Sequence, residues 1–144
     1  VAARNTARKR AFQILFEADQ RGADVVTVLA DWVRHSRTDT RQPPVSEFTM
    51  ELVEGYANHA RHIDELISQY AVGWTLDRMP VVDRNILRLG AYELVWVDET
   101  PDAVVLDEAV QLAKEFSTDE SPSFVNGLLG RFKDLKPGLR RDEA

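Results

Sequence analysis

The sequence predicts an all-α protein, and three observations carry that expectation. Apolar residues recur at helical spacing along most of the chain, no run alternates with period two between turn signals, and the Gly residues stand singly, mostly where helices end or cross. The short apolar stretch AVVL lies beside a strong helical pattern and is read with it. A length of 144 residues suits one compact domain without disulfides or a structural metal.

Taken in order, Ala7, Ala11, Ile14, Leu15 and Ala18 form the stripe of a first helix that Gly22 ends. A second helix runs from about Asp24 to His35 with Val25, Val28, Leu29 and Trp32 inward, and the polar SRTDTRQPP is a connector. Ser46 can cap a third helix carrying Phe48, Leu52 and Tyr56, then Ile63, Leu66 and Ile67. The pattern leaves open whether it breaks near Asn58, and Gly73 closes it. After TLDRM, Pro80 sits where a first helical residue belongs, and VVDRNILRLGAYELVWV follows. That segment is apolar nearly all round, with Val82, Ile86, Leu87, Leu89, Leu94, Val95 and Trp96, so it is expected at the centre of a bundle. Thr100 and Pro101 open the next helix, with Leu106, Ala109, Val110 and Ala113 inward. Ser121 and Pro122 open the last, whose stripe is Val125, Leu128, Leu129 and Phe132. The expected organisation is about seven helices in one domain over 1–144. A helical subdomain spans about 1–75, a second about 76–137, and 138–144 form a polar tail without a place in the core.

Chemistry is scarce. With no Cys, catalytic thiols, disulfides and Cys-based zinc sites are excluded, which fits a reducing cytoplasmic setting. No N-terminal apolar stretch suggests a signal peptide or membrane span. No Ser sits in a glycine-flanked elbow, and the Gly residues form no phosphate-cradling loop, so no enzyme reading has residues to stand on and no cofactor is expected. His59 and His62, at i, i+3 near Asp64 and Glu65, have a spacing that can serve a divalent metal, but no third ligand is fixed, and a polar surface face is the plainer reading.

Charge is segregated within a net of −6 at pH 7. Arg4, Arg8, Lys9 and Arg10 crowd the first ten residues without an acid, while Asp98, Glu99, Asp102, Asp107, Glu108, Glu115, Asp119 and Glu120 crowd 98–120. A basic head and an acidic body permit one polyanionic and one basic partner, although solvated helix faces give a similar pattern. On a helix Arg4 and Arg8 fall one turn apart, with Lys9 and Arg10 to either side, which can line a phosphate track. Phe12 and Phe16 continue a neighbouring face, where an aromatic can stack an unpaired base or simply be core. The start of the last helix at Ser121 can present backbone N–H groups to an anion, though most such starts bind nothing.

The blocks ARKRAFQILFEAD, VDRNILRLGAYEL and DEAVQLAKEFSTDESPSFVNGLLG resemble those of the NusB family of transcription antitermination factors, in the same order and over nearly the whole chain. The last block also resembles the RNA-binding N-terminal domain of a ribosomal RNA cytosine methyltransferase, whose doubly wound cofactor domain 144 residues do not accommodate. The resemblance implies two small helical bundles that bind the boxA segment of ribosomal RNA leader transcripts together with a small-subunit ribosomal protein, NusE, within an RNA polymerase elongation complex. It implies that Arg4, Arg8 and Arg10 belong to an arginine-rich motif beside Lys9, that Phe16 fills an aromatic position, and that Glu120, Ser121 and Phe124 meet RNA. Asp83 matches an acidic position used toward the ribosomal protein. Two departures weaken the RNA contacts: Asn5, Thr6 and Ala7 interrupt the arginine run, and Phe16 lacks the hydroxyl of the usual tyrosine. The alternatives are a protein-only helical module, a homodimer joined through the N-terminal aromatics, and an RNA-binding subunit of an rRNA-modifying enzyme.

Overall fold

The computed structural model describes residues 2–140, and the described residues form six α-helices, one 3₁₀ turn and no strand. Close packing divides the chain into two units, Val1–Asn58 and His59–Ala144.

In the first unit, α1 (Ala2–Arg21) and α2 (Val25–Thr38) pack as a hairpin. Gly22 makes the turn at a φ of 63°, a conformation that costs a residue with a Cβ, and Asp24 caps α2 by accepting from the Thr27 N–H at 3.2 Å. Ala7, Ala11, Ile14, Leu15 and Ala18 are buried as their spacing requires, and Trp32 Nε1 donates to Glu17 Oε1 at 3.2 Å across the hairpin. The third helix, α3 (Glu47–Tyr70), is unbroken through Asn58. Ser46 Oγ accepts from the Thr49 N–H at 3.2 Å, and the Thr49 hydroxyl donates to the Ala7 carbonyl, which seats the start of α3 on α1.

In the second unit, α4 (Val81–Trp96), α5 (Asp102–Phe116) and α6 (Ser121–Leu139) pack pairwise. Pro80 stands at the N-cap position of α4, one residue before the expected first turn. Residues 89–96 of α4 are buried without interruption, Glu93 among them, as expected of a helix apolar nearly all round. Gly90 lets α6 approach: a Cβ there would meet Leu129 Cδ1 at 2.8 Å. On α5 the buried face is Val105, Ala109, Leu112 and Ala113, while Leu106 and Val110 are only half-buried, so the stripe is rotated by one position from the expected one. Val125, Leu128, Leu129 and Phe132 are buried on α6 as expected.

Two further expectations change. The last helix passes through Pro137 to Leu139, which is 5% exposed, and the Leu139 carbonyl lies 2.6 Å from His62 Nε2; residue 139 therefore has a place in the core. Residues 141–144 of the expected tail lie outside the described residues. His59 and His62 are no polar surface face: His59 stacks on Trp96 at 4.3 Å and His62 meets the same ring edge-on at 5.9 Å. Asp64 is committed to a two-pronged pair with Arg88, at 3.0 and 3.2 Å.

Replacing Gly90 with Val is expected to lower stability by about 1–3 kcal/mol, because Leu129 is fully buried and has little room to yield. A urea melt should show a lower midpoint at unchanged slope. An unchanged midpoint would mean that α4 and α6 do not need this approach.

Candidate nucleic-acid interface

The basic head is organised by a residue that spacing does not single out. Phe48, in the first turn of α3, has two guanidinium groups against its ring: Arg4 sits 4.2 Å and Arg8 5.3 Å from the ring centroid. Such contacts favour the cation over the ring face and let two like charges share one neighbourhood. They also place the arginines differently. Arg4 is exposed, whereas Arg8 is 4% exposed, so the four head cations do not form one exposed row.

Lys9 and Arg10 are half-buried. Arg10 donates from one terminal nitrogen to the carbonyls of Pro43 and Pro44, at 3.2 and 3.0 Å, and its guanidinium lies 5.5 Å from the Trp32 ring. Burial lowers its pKa from the ordinary arginine value, yet an arginine keeps its charge in proteins. Phe16 is half-buried and tilted against Phe12 at 6.1 Å; Phe12 is 3% exposed within this one chain, which leaves it little surface for a homodimer seam.

In the second unit the structure joins two residues to which the resemblance gives separate roles. Asp83, in the first turn of α4, is 3% exposed and accepts from the Ser121 hydroxyl at 2.9 Å and from the Ser117 hydroxyl. A hydroxyl has one proton, and that of Ser121 goes to Asp83, so Thr118 Oγ1, at 2.7 Å, donates to Ser121. A carboxylate at a helix start is also favoured by the helix dipole. Asp83 thus ties the start of α4 to the loop before α6. Ser121, 2% exposed, holds that loop rather than offering its hydroxyl outward, and it occupies the first helical position, with Glu120 at the cap.

Beside this tie lies a cleft of about 350 Å³ walled by Trp74, Pro80 and Phe124, with Asp83 and Ser121 below and Glu120 at the loop. Glu120 is exposed and Phe124 half-exposed, so these two of the expected RNA residues do face the cleft. Trp74 was hidden from spacing arguments because it stands in a connector that follows Gly73. Among the described residues no cluster of three or more His, Cys, Asp or Glu is placed to hold a metal, and no helix is long and apolar enough to cross a membrane.

Comparison with known proteins gives a consistent picture. The NusB family model matches residues 5–134. The transcription antitermination protein NusB of Streptomyces avermitilis is 86% identical over 144 residues, covering 100% of both chains. That of Thermobifida fusca is 55% identical over 136 residues, covering 94% of this chain and 92% of the other. The fold is similar to that of T. maritima NusB, with a TM-score of 0.78 and 33% identity over 91% of this chain and 90% of the other. It is also similar to a chain in the crystal structure of antitermination factors NusB and NusE in complex with dsRNA. There the TM-score is 0.80 at 27% identity, over 94% of this chain and 98% of that one.

Asp83→Ala is expected to cost about 1–3 kcal/mol, because the Ser117 and Ser121 hydroxyls lose their shared acceptor in a buried place. Asp83→Asn, which keeps an acceptor oxygen, should cost less in a thermal melt. Equal melting temperatures for wild type and Asp83→Ala would show that the tie does not hold the loop.

Proposed function

The chain belongs to the NusB family, and from that premise we propose that it is an RNA-binding transcription antitermination and elongation factor. On this reading it binds a boxA-type single-stranded segment of ribosomal RNA leader transcripts together with the ribosomal protein NusE, and the pair joins the RNA polymerase elongation complex in the cytoplasm. It acts as an adapter without catalysis of its own.

The observation that carries the proposal is the likeness, over nearly the whole chain, to a structure in which NusB and NusE occur with dsRNA. The head supplies a physical argument in support. Basic residues at a helix N-terminus oppose the helix dipole, and α1 has no acid in its first turn to offset them. Arg4 is thus placed against local stability, where a polyanion would relieve the cost. The acidic run over 98–120 suits a basic partner such as a ribosomal protein.

The contacts we assign to RNA are unequal. Arg4, Arg8, Lys9 and Arg10 supply the head's positive potential toward phosphate, Arg8 and Arg10 also hold its shape, and Phe16 offers a partial ring face. Glu120 and Phe124 contribute from the cleft, with Ser121 fixing their loop. Asp83 reaches the ribosomal protein only indirectly, through the surface it shapes.

Fluorescence anisotropy of a labelled boxA-type RNA, single-stranded and as a duplex, tests the proposal with and without purified NusE at two salt concentrations. Binding is expected to tighten with NusE and weaken with salt. Arg4→Glu should lower affinity and flatten the salt dependence without lowering the melting temperature. Absence of RNA binding under every condition, from folded protein, would overturn it.

A further inference from the structure

Phe48 stands on α3, whereas the arginines that meet its ring stand on α1, so their contact depends on how the start of α3 is held. It is held on both sides of the ring. After it, the buried Thr49 hydroxyl donates at 3.0 Å to the carbonyl of Ala7, a residue that lies between Arg4 and Arg8 in the chain. Before it, Ser46 caps the first turn through the Thr49 N–H, and Arg10 reaches from α1 to the carbonyls of Pro43 and Pro44 at 3.2 and 3.0 Å. The segment 43–49 thus braces the same turns of α1 that carry the basic head.

A ring fixed in this way does more than fill space. An arginine that swings freely in water loses rotamer freedom when it grips a phosphate, and one already held against a ring has given up part of that freedom beforehand. A guanidinium over a ring still has N–H groups turned away from it, and these are the groups that pair with phosphate oxygens. The ring contact therefore leaves the arginine able to take an anion. We propose that Phe48 is a positioning residue for RNA binding: its ring orders the Arg4 and Arg8 guanidinium groups before RNA arrives, and affinity depends on it although it carries no charge and touches no nucleotide. This rests on the RNA-binding function proposed above and assigns to it a residue that acts only through two others.

The test measures affinity for a boxA-type RNA across a salt series with Phe48→Leu, which keeps apolar bulk without a π face, and Phe48→Tyr, which keeps both. Phe48→Leu should weaken binding by roughly three- to ten-fold, the range that the lost cation–π contacts span, at an unchanged salt slope because every charge is still present. Phe48→Tyr should bind as wild type does. In an Arg4→Ala background, Phe48→Leu should cost clearly less than it does alone, since one of the groups that the ring orders is gone. Apart from any variant, the side-chain N–H signals of Arg4 and Arg8 in NMR spectra of the RNA-free wild type should be ordered and shifted by the ring. Wild-type affinity in a folded Phe48→Leu protein would overturn the inference while the RNA-binding function stood. So would freely averaged arginine signals, or an undiminished loss in the Arg4→Ala background, which would mean that the ring acts without the arginines. Failure of wild type to bind RNA would remove the function itself and this role with it.

Discussion

The enclosure of α4 is the constraint from which the C-terminal unit follows. A helix whose residues from 89 to 96 are all buried has no face that water can wet, so neighbours must cover it on several sides. The absence of a side chain at Gly90 sets how near α6 can come, and Leu129 fills the space that a Cβ would need. The same enclosure decides the fate of the acid at the start of α4. Drawn inside with its helix, the Asp83 carboxylate requires donors, and the hydroxyls of Ser117 and Ser121 supply them. The loop before α6 therefore takes its shape from the burial of a helix that lies far from it in sequence.

Much of this architecture was legible because it is local. Stripes at helical spacing gave the elements, and Gly22, Ser46 and Pro122 punctuated them with turn and cap chemistry that acts over three or four residues. The misreadings have equally physical origins. On α5 the pattern admits two adjacent stripes, and only packing against α4 and α6 selects Val105 and Leu112 over Leu106 and Val110. The polarity of KPGLRRDEA suggests a tail without a place in the core, yet α6 continues past Pro137 and buries Leu139.

The candidate sites were less legible than the fold, since their geometry depends on long-range partners. Nothing in the spacing of Arg4 and Arg8 reveals that both meet the ring of Phe48, or that only one of the two stays exposed. Asp83 and Ser121 are 38 positions apart, and each invites a separate surface role when read alone. His59 and His62 have metal-like spacing, but Trp96, which lies on another helix, turns both rings into an aromatic cluster. A sequence supplies the residue types; which of them face one another is a property of packing.

The loop before α6 places two residues of opposite tolerance side by side. Ser121 is 2% exposed and bound into the floor of the unit, whereas its neighbour Glu120 is exposed and makes no side-chain cap for the helix it precedes. Heritable variation at the first is screened by folding before any ligand is met, while variation at the second reaches the cleft almost unfiltered. Over generations, the strength of whatever that cleft holds can be adjusted through Glu120 while the fold beneath it is inherited unchanged.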